Sequence, residues 1–174
     1  MGAGTENNMN QVKLEKVVLN IGAGEAGQKV NNAAKLLELV SGAKATKTQA
    51  KVKIVKWEIR EGLEIGAKVT LRKKAASDML VRALEAVDKT LKPSSISSNG
   101  NLAFGIKEYI NIKGVNYDPD IGMFGMDVCV KLSRAGERIA RRRQKPSRFP
   151  EGSKITKDEA IEFLKQNYQV RFEE

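Results

Sequence analysis

Four segments of this 174-residue chain alternate apolar and polar residues, as strands with one buried face do. The segments are residues 12–21, 67–72, 104–112 and 126–132. Their predicted inward residues are Val17, Leu19 and Ile21; Val69 and Leu71; Phe104, Ile106, Ile110 and Ile112; and Met126, Val128, Val130 and Leu132. Since each strand also has a polar face, the pattern predicts an α+β fold, a largely antiparallel sheet with helices on one side and an open face on the other.

Three further segments repeat apolar residues at helical spacing, namely residues 28–41, 76–91 and a stretch that starts at Thr156. Gly42 predicts the end of the first helix. Thr156 and Glu159 have the spacing of a capping box at the start of the third. We therefore predict one domain over residues 11–174, preceded by a flexible tail over residues 1–10.

The predicted open face of the sheet is polar and partly cationic. It carries Lys16, Asn20, Lys68, Thr70 and Arg72. A surface of this kind is suited to RNA, and the chain as a whole is basic, with 31 Lys and Arg against 21 Asp and Glu and a pI near 9.7. Such a charge can also serve solubility alone.

The composition excludes several kinds of site. There is no His and one Cys, Cys129, so a structural zinc site, a Ser–His–Asp or Cys–His nucleophile and a disulfide framework are all excluded. A lone Cys is typical of a reducing cytoplasm. The first eleven residues lack an apolar segment, and no apolar run approaches the ~20 residues of a membrane span, so we expect a soluble, cytoplasmic protein without a signal peptide or a membrane partner.

Two segments concentrate positive charge. The first, residues 44–60, has one acid, the aromatic Trp57 and six basic residues: Lys44, Lys47, Lys51, Lys53, Lys56 and Arg60. The second, residues 138–148, has no acid and six basic residues: Arg138, Arg141, Arg142, Arg143, Lys145 and Arg148. Cations bind phosphates, and an aromatic ring among them suits stacking on a base. For the first segment, the alternative is a solvated strand pair with Trp57 in the core. For the second, it is a flexible solvated loop or a targeting tag.

The motif GAGEAG, residues 22–27, matches G-x-G-x-x-G between a strand and a helix, which makes a small NAD(P)-binding oxidoreductase the alternative function. Three observations oppose it: residues 43–53 contain no acid for the ribose, Glu25 would repel phosphate, and the later strands alternate in polarity. A tight strand-to-helix turn is the simpler interpretation. The pair Asp118 and Asp120 around Pro119 is likewise interpreted as a turn rather than a metal or acid–base pair.

Several blocks closely resemble the family of large-subunit ribosomal protein five, which binds 5S rRNA. They are VVLNIGAGEA (17–26), ELVSGAK (38–44), IREGLEIGAKVTLR (59–72), NLAFGIKEYI (101–110) and GMDVCVKL (125–132), in order and at matching spacing. The segment after Leu132 resembles the archaeal and eukaryotic form. The chain departs from the family at Ala43, where many members have a Gln that contacts 5S rRNA.

The resemblance implies a ribosomal protein of the central protuberance that is not an enzyme and has no cofactor. It also implies a fold made of an antiparallel sheet with helices. Its implied partners are 5S rRNA, 23S rRNA, P-site tRNA, small-subunit ribosomal protein thirteen across an intersubunit bridge, and other 5S-associated large-subunit proteins. It implies 5S rRNA contact for Asn20 and Thr70. It also implies tRNA contact for the loop between Thr48–Ala50 and Arg60–Gly62, which carries Lys51, Lys53, Lys56, Trp57 and Arg60. We expect the remaining basic positions, in the open face, at Lys44 and in an arginine-rich arm over about 136–150, to bind rRNA. A general single-strand RNA chaperone is a weaker alternative.

Overall fold

A computed structural model describes residues 9–173 and shows ten helices and strands of regular structure in this range, besides short 3₁₀ turns. In chain order they are β1 (Lys13–Gly22), α1 (Gln28–Ser41), β2 (Thr46–Gln49), β3 (Glu64–Arg72), α2 (Lys73–Glu85), β4 (Thr90–Leu91), β5 (Leu102–Ile106), β6 (Met126–Ser133), α3 (Lys157–Tyr168) and β7 (Arg171–Phe172). Most of the predicted flexible tail, residues 1–8, lies outside the described residues.

Five strands form one antiparallel sheet in the order β2-β3-β1-β6-β5, and β4 pairs with β7 in a small parallel sheet. The predicted α+β class and antiparallel sheet are therefore confirmed. The inward residues predicted for β1, β3 and β6 are all buried, and α1 and α2 pack over β3 and β1. From α1 the core receives Val30, Ala33, Leu36, Leu37 and Val40, and from α3 Ala160 and Leu164.

The second helix is shorter than predicted. It ends at Glu85, and the chain then turns through Asp88 and Lys89, which both have positive φ. Leu91 is buried, but as part of β4 rather than of the helix. The prediction of a helix up to Leu91 is wrong because Leu91 is buried through the pairing of β4 with β7. Helical spacing of apolar residues gives no information on such a pairing.

The strand predicted over residues 104–112 is wrong in its second half. β5 ends at Ile106, and a 3₁₀ turn covers Tyr109–Asn111. Tyr109 is fully buried and its hydroxyl accepts a hydrogen bond from the Asp118 N–H (3.1 Å), whereas Ile110 is exposed. The alternation of buried and exposed residues ends where the turn begins, because the turn places Tyr109 in the core and leaves Ile110 in solvent.

The capping box of the third helix is confirmed, since the Thr156 side chain and the Glu159 side chain each bond the other residue's backbone N–H. The same Glu159 carboxylate accepts a hydrogen bond from Arg134 (2.7 Å), whose Nε also donates to the Asn10 carbonyl (2.9 Å). The bond from the Thr156 backbone, followed by Arg134, holds the pKa of Glu159 below its usual value. One arginine thus ties α3 and the N-terminal segment to the end of β6.

The GAGEAG segment is a turn from β1 into α1. Gly27 caps the helix at φ 106°, a conformation that suits glycine, and Glu25 pairs with Lys29 (2.9 Å). β1 lies between two antiparallel partners, so the parallel strand-helix-strand unit of a dinucleotide site is not formed here. In the other motif, Asp118 accepts a hydrogen bond from the Asp120 N–H (3.0 Å), as an ordinary turn does, and residues 9–173 hold no cluster of potential metal ligands.

Candidate RNA interface

Strand pairing brings the predicted polar residues together on the sheet face that is turned away from α1 and α2. Asn20 pairs with Lys68, and Lys16 with Arg72, and directly paired residues share a face. Lys68, Thr70 and Arg72 are exposed, while Lys16 and Asn20 are half-buried between neighbouring strands. We call these five residues the open face, and the structure leaves it accessible to a partner.

The sheet surface is not uniformly basic. On the other side of β1, Asn20 pairs with Asp127 of β6, and Val18 pairs with Cys129. Asp127 and Cys129 are both exposed. The Cys129 thiol is still partly shielded from water, and this partial burial, followed by the Asp127 charge, raises its pKa. Positive charge is therefore concentrated on the β3 half of the sheet, and an exposed carboxylate stands beside Asn20.

Glu15 lies at one end of the open face, where its carboxylate is close to three cationic side chains. Its carboxylate accepts two hydrogen bonds from the Arg141 guanidinium (2.9 and 3.0 Å). Arg72 and Lys131 each lie 3.6 Å from it. The Arg141 hydrogen bonds, followed by the charge of Lys131, hold the pKa of Glu15 below its usual value despite partial burial. These contacts attach the arginine-rich segment to the sheet.

The arginine-rich segment, residues 136–150, is called the arm. It begins with a 3₁₀ turn over Glu137–Ala140 and is closed by a hydrogen bond from the Ser147 N–H to the Ile139 carbonyl (3.2 Å). All six of its predicted basic residues are exposed. The arm is a folded loop, because Glu15 and Glu137 supply carboxylates to its first residues.

The chain between β2 and β3, residues 50–63, forms a second basic projection, which we call the β2–β3 loop. It is held by two hydrogen bonds between the backbones of Ile54 and Ile59 (2.9 and 3.1 Å). Ile59 is buried, but Trp57 is 65% exposed and so is not in the core. The basic residues of this loop, Lys51, Lys53, Lys56 and Arg60, are exposed as well.

The two projections lie at opposite ends of the sheet. The β2–β3 loop leads into Glu64 at the start of β3, whereas Arg72 at its end meets the Glu15 cluster. Eight steps of ~3.3 Å separate these ends by roughly 26 Å. The predicted site residues thus form a central face with a separate basic element at each end, and Lys44 lies exposed just before the edge strand β2.

Sequence reasoning missed Glu15, Asp127 and Lys131. The alternation of β6 already predicts that Asp127 and Lys131 point away from the core. That β6 lies beside β1, and so brings these two residues next to Asn20 and Lys16, follows from the strand order alone.

Comparison with known proteins assigns the chain to a family. Residues 7–60 match the family model described as ribosomal protein L5, and residues 64–163 match the model of the C-terminus of the same ribosomal family. The chain belongs to the ribosomal protein L5 family. Among its relatives named large ribosomal subunit protein uL5, that of Sulfurisphaera tokodaii is 47% identical over 95% of this chain and 94% of the relative. The protein of Picrophilus torridus is 45% identical over 96% of both chains.

Membership of the L5 family makes the chain a structural constituent of the large ribosomal subunit that associates with ribosomal RNA, and not an enzyme. The oxidoreductase interpretation of GAGEAG is therefore wrong, and the interpretation of these glycines as a turn agrees with the fold. Within residues 9–173 of this L5 protein, no helix is long and apolar enough to cross a membrane.

The Glu15 cluster predicts a pH dependence of stability. A carboxyl group whose pKa is lowered on folding stabilises the native state above its ordinary pKa, and this stabilisation is lost as the pH falls through the lowered value. We expect Glu15→Gln to lower the free energy of unfolding by about 1 kcal/mol at pH 7. The loss is modest because Arg141 is partly solvated. Thermal melts of both proteins between pH 7 and pH 3 should show this difference shrinking as the pH falls. A difference that stays constant with pH would contradict the assignment.

Proposed function

We propose that this L5-family protein binds 5S rRNA through its open face and its arm, and so helps to attach 5S rRNA to the large subunit in the central protuberance. The observation that carries the proposal is the continuity of the two elements, since Arg72 of the face and Arg141 of the arm meet at one carboxylate. Contact with 23S rRNA and with other 5S-associated proteins is inferred from the family resemblance.

The chemistry of the face suits folded RNA. Asn20 and Thr70 offer uncharged donors and acceptors for ribose hydroxyls and phosphates, and they lie among Lys16, Lys68 and Arg72, whose charges attract phosphates. The arm adds Arg138, Arg142, Arg143, Lys145 and Arg148, and Lys44 adds a cation beside the sheet edge. RNA shape, more than base identity, would set the specificity of such a surface.

The test is binding of the purified protein to 5S rRNA in competition with random RNA of equal length. Specific recognition predicts a preference of at least tenfold for 5S rRNA and co-purification of the two from native ribosomes. Equal affinity for both RNAs would instead favour the general RNA chaperone.

We also propose that the β2–β3 loop contacts P-site tRNA. The loop lies at the other end of the sheet from the arm, and its exposed side chains combine cations with the flat Trp57 ring. Cations and an exposed ring together suit an RNA backbone and an unpaired base.

Replacing Lys51, Lys53 and Lys56 by Gln tests this division between the two ends. We expect 5S rRNA affinity to change by less than about twofold, and tRNA affinity of the ribosomal P site to fall about fivefold, because phosphate contacts are lost at one end only. Filter binding of tRNA to ribosomes that carry the variant measures the second effect. A variant with Lys35, Lys92 and Lys107 replaced by Gln controls for net charge. An equal loss of 5S rRNA affinity would refute the division.

The bridge to small-subunit ribosomal protein thirteen completes the proposal. We infer the bridge from the family resemblance and propose that it uses the connection between β5 and β6, where Tyr117 and Met123 are each 53% accessible. The proposed protein contact would then be distinct from the RNA-binding face.

A further inference from the structure

Glu15 occupies an unexpected position for an acid. The pairing of β1 with β6 shifts register between Leu14 and Lys16, so Glu15 is the extra residue of a β-bulge. Its side chain is only 16% exposed and sits at the end of a surface proposed to bind a polyanion. By charge alone, a carboxylate there would weaken RNA binding.

The contacts of Glu15 give it a structural purpose. Arg141 of the arm donates two hydrogen bonds to it, and Arg72 of β3 and Lys131 of β6 lie within 3.6 Å. Glu137 also bonds Lys131 and lies 3.4 Å from Arg141. Three cations from three different elements therefore converge on one side chain.

We propose that Glu15 is a positioning residue that joins the arm to the open face, so that both act as one RNA-binding surface that includes Lys131. This inference rests on the proposed binding of 5S rRNA. The arm holds six basic residues that repel one another, and without an anchor it would lose conformational freedom on binding RNA. An arm that is already attached avoids that loss and binds more tightly.

If Glu15 anchors the arm, removing its charge should weaken RNA binding, whereas the change in net charge alone would strengthen it. Glu15→Gln raises the net charge by one, which by electrostatics alone strengthens RNA binding. We expect it instead to weaken 5S rRNA binding by about threefold to tenfold, because the arm is released. Arg141→Lys keeps the charge but loses the two-pronged bond, so it should weaken binding to a similar extent. The double variant should be no worse than either single one.

Glu85→Gln is the matched control for charge. Glu85 is also a paired carboxylate, 2.9 Å from Lys113, but it lies at the end of α2, on the helix side of the sheet. We expect this variant to bind 5S rRNA as well as the unchanged protein or slightly better. If Glu15→Gln also bound as well or better, while melting showed that it is folded, the inference would be overturned.

A second measurement needs no RNA. Trypsin cleaves after Arg142 and Arg143, which lie next to the anchored Arg141 in the arm. Release of the arm in Glu15→Gln should speed cleavage at these bonds at least threefold, with no change in Glu85→Gln. Equal cleavage rates in Glu15→Gln and the unchanged protein would contradict the inference. If the unchanged protein showed no preference for 5S rRNA, the proposed function would fail, and cleavage would still decide whether Glu15 anchors the arm.

Discussion

Simultaneous replacement of Asn20 and Thr70 by alanine is expected to weaken 5S rRNA binding by about tenfold to a hundredfold. Both residues lie in the middle of the open face, on the neighbouring strands β1 and β3. A neutral hydrogen bond contributes roughly 0.5–1.5 kcal/mol, and an RNA group left without a partner adds to the loss. Two such losses, of about 1–3 kcal/mol in total, correspond to about this change in affinity.

The fold should survive the Asn20 and Thr70 changes, because neither side chain is in the core. Gel-shift titration with 5S rRNA measures affinity, and a thermal melt of the free protein checks stability. The pair Thr90→Ala and Asn111→Ala, which removes the same chemical groups away from the sheet face, is the matched control. Unchanged affinity in the Asn20 and Thr70 variant would place the 5S rRNA contact elsewhere.

The second large effect is on stability, from Gly66→Ala in β3. A Cβ at Gly66 would stand 2.7 Å from the Ile21 carbonyl oxygen and 3.0 Å from the Thr48 hydroxyl. The first of these is backbone in the central strand β1, so the clash cannot be relieved by a side-chain rotation. Overpacking of this kind costs about 1–3 kcal/mol, which for a domain of this size lowers Tm by roughly 3–10 °C.

Gly152→Ala provides the comparison for Gly66→Ala. Nothing lies within 4 Å of the position where its Cβ would be built, so we expect a change within about 0.5 kcal/mol. Denaturant titration of both variants gives the free energies of unfolding. If Gly66→Ala were as stable as Gly152→Ala, then β1, β2 and β3 would not be packed as closely as the structure shows.

Much of the open face could be predicted from local pattern. Alternation of Val69 and Leu71 with Lys68 and Thr70 fixes which side chains leave the core, since successive residues of a strand point to opposite faces. The capping box at Thr156 and the glycine at the end of α1 were predicted for the same reason, because each depends on residues that are close in sequence.

Prediction failed for Leu91, whose environment depends on a distant partner, and left the environment of Trp57 undecided. Leu91 continued the helical spacing but is buried through β7, which follows α3 near the end of the chain. Trp57 was compatible with a core position or an exposed one, and the internal hydrogen bonds of the β2–β3 loop leave its ring in solvent. Residue type alone did not distinguish these outcomes.

By itself, the sequence determined the presence of the three helices, the strands β1, β3 and β6 with their buried faces, the excess of positive charge and the family. Only the tertiary structure decided that β1 lies between β3 and β6, which puts Lys131 beside Lys16 and Asp127 beside Asn20. It also decided that Glu15 meets Arg141, 126 residues away. The physical reason is that periodicity records which side of an element is buried, whereas the neighbours of that element are set by long-range packing and strand pairing.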